Sequence, residues 1–457
     1  MPHQIGMRLR NRRFLMLQGP HGPFFAELAA ALRLEGASVL RGGVNAGDEA
    51  EWRGPGYLAL RDAAGAAGAM ERTGATDLLL YGEARPFHAG ALEAARARGL
   101  RTHILEEGYL RPAWITYERE GSNGNSPAAG WPIAGMAEGP GGAPPCPAAS
   151  WGALRHHVWH GAAYHLALLA GARRYPGHRP HRPVPLRIEA ARALGAAAGL
   201  PFAMAWRQAA QARAIRRRPY DVLLLQLEHD SSLGPAAELA GHAALLERVM
   251  AGFAAAAPQE QRLVVKMHPL EARRLHVARL VRQIADRHGL QDRAAALPGG
   301  RLAPLLDGAR AALTVTSTAG QQALWRGLPL FAFGRTVYSH PELLPCSDLA
   351  AFLADPRPPA PGAHARFSAF LLRSSQIAGS YYTAPGRRMA IAALVPRIAA
   401  ERSAYDFEAA PLAAAAHKHL IPRSAFGHHV ARKTARTARE AEERPGHEVE
   451  STEWLGQ

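Results

Sequence analysis

Short apolar runs that end abruptly in polar residues recur along this chain, at residues 14–17, 38–40, 77–81, 102–105, 222–225, 263–267, 311–316 and 329–333. Strands covered on both faces read as such continuous runs, which is the pattern of a parallel sheet. Helical spacing between them predicts helices over 26–34, 91–98 with Gly99 as a stop, 188–217, 272–288 and 317–325. Strand and helix alternate in two blocks separated by a less regular middle, so the expected class is α/β with two sheets.

The polar exits matter most, because open α/β sheets bind ligands outside the carboxyl ends of their strands. In the first block the exits carry His21, then Glu83, Arg85 and His88, then Glu106, Glu107 and Arg111. The glycines here do not form G-x-G-x-x-G, so no dinucleotide site is indicated. In the second block the first exit reads Gln226-Leu-Glu-His-Asp230. Asp230 is either a helix-capping carboxylate or a carboxylate delivered for chemistry. His268-Pro269 ends the next strand; proline cannot continue a ladder, so the imidazole is held at the sheet edge, as a loop histidine or as a donor to phosphate. At Ser317-Thr318-Ala319-Gly320 a strand meets a helix with two hydroxyls, an N-cap that can also receive an anion. Asp230 with Glu106 or Glu107 would pair carboxylates from the two blocks, as retaining glycosyl transfer requires of a nucleophile and an acid or base.

Composition sharpens this only in part. The chain has 457 residues, 48% of them hydrophobic, enough for two domains with extensions. The reading divides it into residues 1–150, a basic and aromatic helical stretch at 151–218, a second α/β domain at 219–400, and a charged, low-complexity tail at 401–457 expected to be disordered or weakly helical. The net charge of +16 is carried almost wholly by arginine and favours anionic partners. Cys146 and Cys346 form neither a disulfide framework nor a zinc spacing, which suggests a reducing compartment. The histidines of 151–182 match no recognised ligand set, so no metal is expected. No window is long and apolar enough to span a bilayer. The 151–182 stretch reads either as a helix lying on a membrane surface or as an interdomain helix.

Six short segments then occur in order: Leu17-Gln-Gly-Pro-His-Gly-Pro-Phe-Phe25, Gly82-Glu-Ala-Arg-Pro-Phe-His88, Glu106-Glu-Gly-Tyr-Leu-Arg-Pro112 with Trp114-Ile-Thr-Tyr-Glu118, Gln226-Leu-Glu-His-Asp230, Lys266-Met-His-Pro-Leu270 and Thr316-Ser-Thr-Ala-Gly320. Through them the chain resembles the capsular polysaccharide synthesis and export proteins of the KpsS/LipB type. The resemblance spans roughly residues 14–345 and leaves the tail uncovered. It implies a GT-B-like architecture, two Rossmann-like domains facing across a cleft. It further implies a retaining β-Kdo glycosyltransferase that takes Kdo from CMP-Kdo to a phosphatidylglycerol-type lipid, starting the capsule linker that a KpsC-type transferase extends. Within it Asp230 matches the nucleophile, and Glu107 is assigned as the second carboxylate. Gln226, Lys266, His268, Pro269, Ser317, Thr318 and Gly320 would hold the donor, and His21, Glu83, Arg85, His88 and Arg111 the acceptor or the cleft. Glu83 stands where relatives are expected to carry Asp. The implied place is the cytoplasmic face of the inner membrane, with peripheral attachment and no cofactor. The competing readings are a non-catalytic export component that binds lipid-linked glycan, and a nucleic-acid binder resting on charge alone, for which no motif is present.

Overall fold

The computed structural model describes residues 9–52, 54–136, 154–175, 200–226, 241–268, 274–403 and 405. Its strands are β1 Arg13–Met16, β2 Ser38–Gly43, β3 Tyr57–Ala59, β4 Asp77–Tyr81, β5 Arg101–Glu107, β6 Trp114–Glu118, β7 Tyr220–Leu224, β8 Arg262–Lys266, β9 Ala294–Leu297, β10 Ala311–Thr314, β11 Leu330–Ala332 and β12 Gln376–Ala378. They form a seven-stranded sheet in the order β12-β6-β5-β4-β1-β2-β3 and a five-stranded sheet in the order β11-β10-β7-β8-β9. The second sheet is parallel throughout; in the first, only β6 and β12 run against their neighbours. The helices are α1 Phe24–Leu34, α2 Ala46–Ala50, α3 Ala63–Thr73, α4 Pro86–Ala97, α5 Leu154–Ala170, α6 Leu200–Arg216, α7 Gly241–Ala256, α8 Arg274–Arg287, α9 Leu302–Leu306, α10 Ala319–Trp325, α11 Leu349–Ala354, α12 Ala363–Ser374 and α13 Ala384–Ala399. This is the expected α/β, GT-B-like class.

Strand alternation explains the layers, since successive side chains leave a strand on opposite faces. Phe14 and Met16 pack against α1 and α13, while Leu15 and Leu17 pack against α3 and α4. In the second sheet Leu223 and Val265 face α7 and α8, while Val222 and Leu224 face the side of α6. A further core joins the lobes: Tyr109, Leu110, Ile133 and Met136 pack with Leu324, Val337, Phe367, Phe370 and Tyr405.

The chain path departs from the expectation in one respect. Residues 376–399 were placed in the second domain, yet β12 pairs with β6, Ile377 opposite Ile115, and α13 covers the first sheet. The physical reason is that β6 would otherwise be an open edge backed by bare core. The short strands β3, β6, β9 and β12 were not anticipated.

Each lobe anchors a buried aspartate at the start of its central strand. Asp77 accepts from Arg12 Nε at 3.1 Å, from Arg12 Nη2, from His103 at 2.9 Å and from Thr76 at 2.6 Å. Asp221 accepts a two-pronged grip from Arg310, at 3.0 and 2.7 Å, and a 3.0 Å bond from Gln261. Asp221 opens the stretch leading to Asp230, and its role is to hold strands together.

Candidate functional site

The strand registers place the second lobe's exits. Leu224 lies opposite Lys266 on β8 and opposite Thr314 on β10. Two residues further on, beyond the last paired positions, stand Gln226, Thr316 and, after Lys266, His268. Gln226 Nε2 donates to Thr316 Oγ1 at 3.1 Å, and its Oε1 accepts from Thr316 N at 2.8 Å. The amide is therefore a tie between two strand exits. Its carbonyl accepts from His242 at 2.8 Å. Lys266 is buried and His268 is half-buried. Ser317 Oγ accepts from Ala319 N at 3.1 Å, while Thr318, at the N-cap, makes no side-chain cap bond. A Cβ on Gly320 would lie 2.5 Å from the Tyr338 hydroxyl, so glycine here answers to packing. Asp230 and Pro269 lie outside the described residues.

The first lobe's exits hold a second constellation. Glu107 Oε1 accepts from the Tyr382 hydroxyl at 2.8 Å and from the Tyr81 hydroxyl at 3.2 Å. Burial, then the Glu107 charge, push both phenols up, so both stay protonated and donate. Tyr381 donates to the Glu106 carbonyl at 2.7 Å, and Glu106 Oε1 accepts from Ser122 at 2.6 Å. Of the two candidate carboxylates, Glu107 is thus the one held between tyrosines. Arg85 lies 5.8 Å over the Tyr81 ring. Glu83 accepts from Asn125 at 2.9 Å, and burial pushes its carboxyl up. Arg111 Nε donates to the Gly108 carbonyl at 3.1 Å.

His21 lies 3.8 Å from Glu51, its ring 4.3 Å from that of Tyr164. His88 is fully buried, its Nδ1 2.7 Å from the Gly82 carbonyl, and burial lowers it to about 3.

Sequence reasoning missed what covers these exits. Helix α5 lays its polar face on them: the His157 ring lies 3.7 Å from that of Tyr382, tilted by 36°, His160 Nε2 is 3.1 Å from the Tyr382 carbonyl, and Tyr164 meets Asn45 at 2.8 Å and Asp48 at 3.2 Å. It also missed Arg41, Asp48, Glu51 and Tyr382. Glu51 is pushed up to about 8 by burial, against a 2.7 Å bond from Gly22 N and the charge of Arg41. The only sequence signal for Tyr382 is a tyrosine pair after Gly379-Ser380, far from every other motif. Among the described residues no three His, Cys, Asp or Glu side chains are grouped to hold a metal ion.

A match to the family described as capsule polysaccharide biosynthesis protein covers residues 76–382, from the start of β4 to Tyr382. The capsule polysaccharide export protein KpsS of Escherichia coli is 27% identical over 400 residues, covering 82% of this chain and 98% of that relative. The capsule polysaccharide modification protein LipB of Neisseria meningitidis serogroup A is 25% identical over 382 residues, covering 81% and 91%. Among solved structures, the Thermosulfurimonas dismutans KpsC beta Kdo 2,7 transferase aligns with a TM-score of 0.41 and 14% identity over 84% of this chain and 99% of that one. The matched segment contains Glu107, its two tyrosines, the Gln226–Thr316 tie and His268, and by this match the chain belongs to the capsule polysaccharide biosynthesis family.

Proposed function

We propose that this protein is a retaining β-Kdo glycosyltransferase that moves Kdo from CMP-Kdo to a phosphatidylglycerol-type lipid. The observation that carries the reading is Glu107, a carboxylate at a strand exit with two protonated phenols donating to it. In this scheme an Asp230 oxygen bonds to the anomeric carbon as the bond from that carbon to the CMP phosphate oxygen breaks, and CMP leaves. The acceptor hydroxyl then attacks the same carbon, gives its proton to Glu107, and frees Asp230, so the configuration is retained. His268 and the backbone at Ser317 and Thr318 would receive the departing phosphate. One phosphate can leave on hydrogen bonds alone, so the scheme assigns no metal. A KpsC-type transferase would extend the product.

The test is mass spectrometry of the product from CMP-Kdo and short-chain phosphatidylglycerol. Asp230→Ala is expected to abolish transfer while CMP binding survives, and retained transfer would overturn the nucleophile assignment. Glu107→Gln is expected to lower kcat by roughly 10²–10⁴-fold. CMP binding with no product from any lipid acceptor would favour a non-catalytic export component instead.

Helix α5 supports attachment to the cytoplasmic face of a membrane. From His156 to Ala170 its exposed positions are all Val, Trp, Ala or Leu, with Trp159 72% exposed. Residues 154–175 contain no acidic side chain, and exposed Arg173 and Arg174 follow the helix. An apolar face beside cations suits an anionic lipid surface, and among the described residues no helix is long and apolar enough to cross one. Trp159→Glu is expected to weaken co-sedimentation with phosphatidylglycerol vesicles by roughly tenfold or more.

A further inference from the structure

Helix α5 is turned two ways. Val158, Trp159, Leu166 and Leu169 face outward, 49–72% exposed. His157, His160 and Tyr164, on the opposite face, lie against the first lobe. Small residues make the seat. A Cβ on Gly47 would lie 2.5 Å from the Tyr164 ring. Gly22, in the first of the six segments, has a φ of 107°, and a Cβ there would lie 2.8 Å from His160 Nδ1. Glycine at this position serves the turn and also makes room for the histidine. What α5 reaches through that seat is Tyr382. His160 Nε2 donates to the Tyr382 carbonyl at 3.1 Å, beside a 3.3 Å bond from Arg387 Nη1, and Tyr382 N donates to Ser380 Oγ at 3.2 Å. The backbone is thus tied by several elements, but the ring leans on one. The His157 ring centre is 3.7 Å from that of Tyr382, while Tyr381 meets it edge-on at 6.1 Å and His160 stands 6.4 Å away.

That ring ends in the hydroxyl that donates to Glu107 Oε1 at 2.8 Å, and Tyr81 donates to the same oxygen at 3.2 Å. Among the described residues no hydrogen bond falls on Glu107 Oε2. The two phenols therefore set which oxygen of the carboxylate is left for a reacting hydroxyl. Burial lowers the His157 imidazole, so it meets Tyr382 as a neutral ring. We infer that His157 is a positioning residue for the transfer reaction: it holds the Tyr382 ring and, through the Tyr382 hydroxyl, orients Glu107. A helix from outside both sheets thereby completes the setting of the carboxylate. The role in catalysis rests on the proposed transferase reading; the hold on Tyr382 rests on the contacts.

The experiment is steady-state kinetics of the full-length protein with CMP-Kdo and short-chain phosphatidylglycerol below its micellar concentration, so that no lipid surface is present. His157→Ala is expected to lower kcat by roughly tenfold to a hundredfold, with KM for CMP-Kdo unchanged. His157→Phe keeps a neutral ring against Tyr382 and should recover most of the rate. In a Tyr382→Phe background the hydroxyl is gone, so His157→Ala should cost little more. Wild-type kcat in His157→Ala, equal losses in His157→Ala and His157→Phe, or losses that add in the double variant would each overturn the assignment. A second readout needs no turnover: the fluorine resonance of 3-fluorotyrosine placed at position 382. Its line is expected to broaden in His157→Ala, as the ring gains freedom, and to stay narrow in His157→Phe. Equal line widths in wild type and His157→Ala would overturn the hold on the ring. Absence of product from wild type would remove the transferase reading, and the fluorine line would then decide by itself whether His157 sets Tyr382.

Discussion

The two ends of the first sheet use the same residue types to opposite effect. At the amino ends, Arg12, Asp77, His103 and Tyr117 form a closed network, with Arg12 also donating to the Ile398 carbonyl at 2.6 Å. Burial alone would raise Asp77, but the bonds from His103 and Arg12 outweigh it and hold the carboxyl well below its usual range. At the carboxyl ends, Arg41 and His88 are as deeply buried and Glu51 and Glu83 partly so, and there burial prevails: Glu51 and Glu83 go up and His88 goes down. Charge that is fully answered by hydrogen bonds within the chain holds the fold.

The sharpest break of this contrast is Asp77→Ala. It strands Arg12 in the core and is expected to cost about 3–5 kcal/mol, read as a lowered denaturation midpoint. A stability change below about 1 kcal/mol would show that the closed network is not what holds the sheet.

Glu118 sharpens the rule, because its network is closed by neutral donors only. Tyr109, Ser126 and Tyr405 all donate to it, and burial raises it from 4.5 to about 7. A raised folded-state value gives stability that is complete below about pH 4.5 and is lost as pH rises through about 7. The total is on the order of 3 kcal/mol, and Glu118→Gln should flatten that slope in unfolding curves taken from pH 4.5 to 8.

The smallest effect is expected at the open end. Arg41→Met removes a buried cation that makes no hydrogen bond and whose counter-charge, Asp48, is 3.9 Å away and keeps its other partners, so stability should stay within about 1 kcal/mol of wild type. A loss as large as that of Asp77→Ala would mean that Arg41 is structural.

The sequence made the main strands legible because both-face burial writes a continuous apolar run, as in Asp77-Leu-Leu-Leu-Tyr81. It did not reveal Ala294–Leu297, whose alanines carry weak strand preference, nor Gln376–Ala378, whose three residues are too few to show a period. Glu107 was legible as a strand-exit carboxylate, but Tyr382, 275 residues away, was not, since only the fold brings them together. Arg41 was not legible, because an arginine in sequence does not announce that it will be buried. The 151–182 stretch showed an apolar stripe beside histidines; which side of α5 faces the protein came only from packing.

The return of β12 and α13 to the first sheet also sets a schedule. Strand β6 ends at Glu118, but its edge partner begins only at Gln376 and the covering helix ends at Ala399. At about 5–20 residues per second on the ribosome, the first lobe waits on the order of ten to fifty seconds for its last pieces. All strands of the second sheet are made within that interval. The lobe that is begun first is therefore completed last, and until then its exposed edge is the part of the nascent chain most in need of a chaperone.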